Sequence, residues 1–140
     1  MAGMDERVRA RGHENVTARH ASTLELTRDD YLTPAGDCIL GIEADRAPAD
    51  FDPAFVEACR DSEATITLTL DAGDHTETVT GRGHPELECT NDRSLVCRTS
   101  DYVDDRTVMV GADKAATDLD RTFADALADG VEITAVFRVE

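Results

Sequence analysis

Between Ala64 and Leu70 the chain reads ATITLTL, with Ala64, Ile66, Leu68 and Leu70 on one parity and threonine on the other. A period of two is the mark of a half-buried β-strand. VEITAVFRV, 131–139, has the same form with Ile133, Ala135, Phe137 and Val139 inward, and TLELT, 23–27, sets Leu24 and Leu26 against polar neighbours. SLVCRTS, 94–100, and HTETVTGRGH, 75–84, read as further strands. CILGIEA, 38–44, predicts Cys38, Leu40, Ile42 and Ala44 on one face, and TVMVGA, 107–112, predicts Val108, Val110 and Ala112 on the equivalent face. Two segments break the alternation. Asp52 can cap a helix that has Pro53 in its first turn and buries Phe55 and Cys59 one turn apart. Asp120 can cap a second that buries Phe123 and Leu127 and stops at Gly130. Helices of about ten residues are marginal alone, so both must pack on a sheet. Roughly ten short strands and two short helices predict a mainly β fold: one antiparallel, sandwich-like domain over 1–140, with a split α+β arrangement as the alternative.

The pattern is written twice. At an offset of 71, Val8 falls on Val79, Arg11-Gly12-His13 on Arg82-Gly83-His84, Leu24 on Leu95, and Asp30-Tyr31 on Asp101-Tyr102, the chain's two tyrosines. From Cys38 the offset is 68, and Ala44, Asp45, Ala47, Asp50, Asp52, Phe55, Ala58 and Asp61 each meet an identical residue. Arg46 meets Lys114. Two tandem repeats, about 8–70 and 79–139, predict a pseudo-two-fold molecule rather than an open solenoid, which needs three or more units. DAGD, 71–74, is a turn and not a linker.

RGHENVTARHASTLELT, LTPAGDCILGIEAD, GRGHPEL and RTVMVGADKAATDLDR, arriving in that order, together resemble an archaeal family of uncharacterised proteins, domain of unknown function 371, over essentially the whole chain. The resemblance implies an archaeal cytoplasmic protein with a mainly β, sandwich-like fold. It implies no activity and carries over no catalytic residue.

Charge changes the picture more than size does. Thirty acidic side chains stand against fourteen basic ones, giving a formal charge of −16 and a pI near 4.4. Such a chain repels itself in dilute buffer but not at about 1 M salt, where the Debye length falls to about 3 Å. The acids are dispersed, not gathered into a tail, and lysine occurs once against thirteen arginines. Both features fit a halophile's cytoplasm and identify no basic partner. Cys38, Cys59, Cys89 and Cys97 lack metal-ligand spacing and read as buried reduced thiols. No leader-like apolar core opens the chain, and no apolar run approaches the roughly 20 residues of a membrane span.

The twin Arg-Gly-His motifs carry the best candidate chemistry. Glycine lets backbone approach a ligand, arginine offers a fork for carboxylate or phosphate, and histidine adds a switchable donor. Should the two copies meet, Arg11, Gly12, His13, Arg82, Gly83 and His84, with Lys114, would form an anion-binding notch for a small phosphate or carboxylate ligand. The plainer reading makes each glycine a bulge and each histidine a turn cap. DRAPADFD and DKAATDLD could gather carboxylates around Mg²⁺ or Ca²⁺, but a basic residue inside each favours an Asp–basic pair tying strand end to helix start. His20, which has Asn91 as its counterpart, could join His13 and His84 in a metal or acid–base site, the enzyme alternative. Arg93, Arg98 and Arg106 could track a phosphate backbone, although the aromatic interleaving and basic pI of nucleic-acid binders are absent. Neither a cofactor nor an oligomeric state can be read from these residues.

Overall fold

A computed structural model describes residues 4–140. The part of the leader reading that concerns residues 1–3 lies outside it. Eight strands occur among the described residues: β1 (Met4–Arg11), β2 (Thr23–Thr27), β3 (Ile39–Gly41), β4 (Thr65–Ala72), β5 (His75–Arg82), β6 (Ser94–Arg98), β7 (Thr107–Met109) and β8 (Glu132–Val139). Two helices, α1 (Pro53–Cys59) and α2 (Arg121–Ala128), each follow a short 3₁₀ turn, Pro48–Asp50 and Ala116–Asp118. Eight strands stand where roughly ten were expected: the segments after Arg11 and Arg82 turn away instead of continuing as strands, and β3 and β7 are only three residues long.

The strands form two four-stranded sheets, ordered β1-β8-β4-β5 and β3-β2-β6-β7. In the first, every neighbour is antiparallel. In the second, β2 and β6 are antiparallel at the centre, while β3 and β7 join them in parallel. Isolated bridges then stitch one sheet to the other. Arg11 and Ile42 exchange backbone bonds of 3.0 and 2.8 Å, and Arg82 and Val110 exchange bonds of 2.8 and 3.1 Å. Edge strands β1 and β5 therefore do not expose bare ladders at these ends.

Parity decides what each sheet buries. Ile66, Leu68 and Leu70 of β4 and Ile133, Ala135 and Phe137 of β8 are fully buried, as the alternation predicts. They share one core with Leu24, Leu26, Leu40, Leu95 and the helix residues Phe55, Phe123 and Leu127. Asp52 and Asp120 cap the helices by accepting the Ala54 and Thr122 N–H at 2.8 and 2.9 Å. Gly130 takes the left-handed conformation after α2, with φ +84°. One strand expectation changes. Cys38 does not share the core face of Leu40, because β3 starts only at Ile39 and the β2–β3 register shifts beside Glu25; its thiol donates to Glu25 Oε1 at 3.5 Å.

The opposite face of the first sheet is open. Arg7, Arg9 and Arg11 of β1 stand in register with Val136, Thr134 and Glu132 of β8. Thr65, Thr67 and Thr69 of β4 stand beside Arg82, Thr80 and Thr78 of β5.

Candidate functional site

The two Arg-Gly-His motifs close β1 and β5, the outermost strands of their sheet. These strands run in opposite directions with β8 and β4 between them, so Arg11 and Arg82 lie at diagonal corners. The structure does not bring the motifs together. Each instead meets the helix of the other half. A Cβ on Gly12 would lie 2.0 Å from the Leu127 carbonyl oxygen, and one on Gly83 would lie 2.2 Å from that of Cys59. Only glycine lets the strand end come this close to the last turn of a helix. Gly12 N–H donates to the Val131 carbonyl at 2.7 Å, and His84 N–H to that of Cys59 at 3.0 Å.

The histidines close the turns that follow. His13 Nδ1 accepts the Asn15 N–H at 3.0 Å, and His84 Nδ1 accepts that of Glu86 at 3.0 Å. His20 Nδ1 accepts the N–H groups of Ser22 and Thr23 at 3.2 and 3.1 Å. Asn91 does the same with Oδ1, taking Arg93 and Ser94 at 2.9 and 2.8 Å. The His20/Asn91 difference thus preserves one structural job. Among the described residues no group of three or more His, Cys, Asp or Glu could hold a metal ion, and His13, His20 and His84 do not converge.

Arg46 and Lys114 find glutamates, not the aspartates beside them. Arg46 Nη2 donates to Glu6 Oε1, and Glu6 Oε2 accepts the Asp52 N–H at 2.8 Å. Lys114 Nζ donates to Glu77 Oε1 at 2.8 Å, and Glu77 Oε2 accepts the Asp120 N–H at 2.7 Å. Each glutamate points inward from an edge strand and clamps a basic residue and a helix start with one carboxylate. The neighbouring aspartates are occupied too: Asp45 and Asp113 accept the edge-strand N–H groups of Arg9 and Thr80, while Asp50 and Asp118 accept those of Ala47 and Ala115. No cation cage forms from either acidic run. The glutamates went unread, although continuing the offset of 71 two residues before Val8 pairs Glu6 with Glu77.

The corners differ in one charge. After Ile42 comes Glu43, at φ +54°, and Arg11 Nε donates to its carboxylate at 2.6 Å. That bond raises the arginine's pKa and lowers the glutamate's. After Val110 comes Gly111, at φ +59°, and the Arg82 side chain lies across it, with Nε 3.2 Å from where a Cβ would stand. Arg82 is exposed and makes no ion pair among the described residues.

The outer side of the second sheet carries a polar cluster invisible to the sequence reading. Arg98, 9% exposed, donates to Thr107 Oγ1 and Asp104 Oδ2, both at 2.9 Å, and its guanidinium stacks 4.8 Å from the Tyr102 ring. Arg106 shares Asp104 at 2.9 Å and approaches Glu25 at 4.0 Å. Burial raises the Glu25 carboxyl above its ordinary range, although Arg106 and Cys38 oppose it. Burial also pushes Asp104 up, but bonds from Arg106 and the charge of Arg98 outweigh it and hold that carboxyl at about 2. Arg93, grouped with Arg98 and Arg106 as a possible phosphate tracker, pairs with Asp29 at 3.3 Å. Carboxylates of their own thus occupy all three.

A family model described as a domain of unknown function, DUF371, matches residues 8–140. The chain belongs to the DUF371 family. An uncharacterized protein of Methanocaldococcus jannaschii, an archaeon, is 38% identical over 132 residues, which is 94% of this chain and 96% of that protein. In this DUF371 protein no described helix is long and apolar enough to cross a membrane.

Proposed function

We propose that this protein is a small-anion binding module whose site is the Arg82 corner. One contrast carries the reading: Glu43 neutralises Arg11, whereas Gly111 in the same place beside Arg82 supplies no carboxylate. An exposed guanidinium with an unoccupied fork suits phosphate or carboxylate. Thr65, in register with Arg82, and Thr80, two residues back on the same face, add hydroxyl donors. Gly83 and His84 shape the turn, and Lys114 belongs to the Glu77 clamp.

The same reading takes the chain as two copies of one β-rich unit, about 8–70 and 79–139, in a salt-rich archaeal cytoplasm. Support for the doubling comes from the repeated element order and from paired bonds at equal offsets, such as Glu6–Arg46 with Glu77–Lys114.

Thermal melts with inorganic phosphate, citrate or a nucleoside triphosphate test the site. The wild type should gain stability with ligand concentration, as expected for a ligand bound only by the folded state. Arg82→Ser should abolish the gain. Gly111→Glu should abolish it too, by rebuilding the Arg11–Glu43 pair, while Arg11→Ser should keep it. An undiminished response in Arg82→Ser rules the site out.

A further inference from the structure

We infer that the hollow beside Tyr102 is a binding site for a neutral, flat, amino-bearing heteroaromatic ring of the kind a purine nucleoside carries. The tyrosine itself leads there. Tyr102 and its repeat counterpart Tyr31 are the exposed large hydrophobic side chains among the described residues, each 60% exposed. Among the described residues a cation stacks on Tyr102 and none on Tyr31. Arg98, itself 9% exposed, sets its guanidinium 4.8 Å from the Tyr102 ring centre and is fixed in turn by Thr107 and Asp104, both at 2.9 Å. In the other half Thr27 takes the place of Arg98. The loop that carries Tyr102 is pinned at both ends: the Ser100 carbonyl accepts the Gly111 N–H at 3.0 Å, and the Asp104 N–H donates to Thr107 Oγ1 at 3.1 Å. An exposed ring already immobilised loses little further freedom when a second ring stacks on it.

The walls select the occupant. The hollow holds about 640 Å³, and Tyr102, Val103 and Pro85 give it apolar surface. Glu86, Glu88 and Asp101 add exposed carboxylates. Arg60 also lines it, but Nε of that arginine is turned to the Pro85 carbonyl at 3.2 Å and Nη1 to Glu57 at 3.8 Å. An anion is therefore repelled, in contrast to the Arg82 corner. A cation gains less from Tyr102 than from a free ring, because Arg98 already draws on the π-electrons and carries the same sign. A neutral heteroaromatic ring meets neither obstacle. Its face stacks on the tyrosine. Its amino and ring N–H groups donate to the carboxylates, the stronger, charge-assisted class of hydrogen bond. Neither contact needs a net charge on the ligand, so both persist at the salt of about 1 M in which ionic steering is screened.

Adenosine is the probe, and the chain's two tyrosines give the readout an internal control. Titrated into the full chain carrying isotope-labelled tyrosine, adenosine should move the NMR ring signals of Tyr102 saturably and leave those of Tyr31 in place, at about 0.1 M and about 1 M salt alike. In equilibrium dialysis Tyr102→Ala should weaken binding roughly five- to hundredfold, the range for loss of one aromatic partner of a base. Tyr102→Phe, which keeps the ring and its contact with Arg98, and Tyr31→Ala should both stay within about twofold of wild type. Purine riboside, which lacks the amino group, should bind more weakly than adenosine. Circular dichroism should show each variant folded, since both rings are exposed. Unmoved Tyr102 signals, equal movement of both tyrosines, wild-type affinity in Tyr102→Ala, equal affinity for purine riboside, or tighter binding of tetramethylammonium than of adenosine would each overturn the inference. All these variants retain Arg82 and Gly111, so their phosphate response stays a separate readout of the anion site.

Discussion

Lys114 Nζ reaches Glu77 Oε1 at 2.8 Å while the other oxygen of that carboxylate holds the Asp120 N–H at 2.7 Å. The chain's single lysine is thus held by an edge strand at the start of α2, as Arg46 is held by Glu6 at the start of α1.

Removing either glutamate should cost more than removing its basic partner. Glu6 is 7% exposed, and without it the Asp52 N–H loses its acceptor and the Arg46 guanidinium its carboxylate, keeping only the Arg7 and Asp50 carbonyls. Glu6→Ala and Glu77→Ala should each destabilise by about 2–3 kcal/mol. Lys114→Ala, at a side chain one-third exposed, should cost about 1 kcal/mol or less. Urea unfolding at neutral pH gives the ranking.

Alanine at Gly12 or Gly83 must drive a methyl into a helix carbonyl at 2.0 or 2.2 Å. Each variant should lose more than about 3 kcal/mol or fail to fold. Gly73, at φ +61° with open space around it, is the control, and Gly73→Ala should cost only about 1–2 kcal/mol. Equal losses at all three would mean that the strand ends do not rest on the opposite helices.

Burial pushes the Cys59 and Cys97 thiols up to about 12 and those of Cys38 and Cys89 to about 11. A rise of two units from the ordinary 9.0 leaves roughly a hundredfold less thiolate. Native protein at pH 8 should react slowly with a thiol reagent, Cys38 first because it alone is half-exposed, and urea should release all four.

Asp104 sets an acid limit. Its folded pKa of about 2 lies below the ordinary 3.8, so its contribution is complete above about pH 4 and is lost as pH falls from 4 towards 2. Wild type should exceed Asp104→Asn by of order 1 kcal/mol at neutral pH, after allowance for screening of a partly exposed group. Melts from pH 6 to 2 should show the gap closing in that window.

Glu25 has the opposite sign. Burial raises its pKa, so its favourable contribution is complete below the ordinary carboxyl range and is lost as pH rises through the shifted value. Glu25→Gln should therefore be more stable than wild type at pH 7 and lose that advantage in acid. A stability gap independent of pH would show that the carboxylate is not strained by burial.

Strand parity and helix caps were legible because both depend on residues two to four apart. Thr and Leu in β4 take opposite faces whatever surrounds them, and Asp52 and Asp120 cap N–H groups two residues ahead. The partners of Arg46 and Lys114 were misread as adjacent aspartates, since the true ones stand 40 and 37 residues away on edge strands. The Arg98–Asp104–Arg106 cluster escaped for a related reason. Its arginines look free along the chain, and only folding of the 99–106 loop onto the second sheet supplies Asp104.

By itself the sequence determined the mainly β character, the buried parities of β4 and β8, both helix starts and the excess of carboxylate, because side-chain period, capping and net charge are local or additive properties. Tertiary structure alone decided that β8 and β4 come between β1 and β5. That order, set by burying the inner faces of both sheets in one core, sends the two Arg-Gly-His motifs to opposite corners. The Glu43/Gly111 difference stands in the sequence, but only the bridges Arg11–Ile42 and Arg82–Val110 set those two positions beside the arginines.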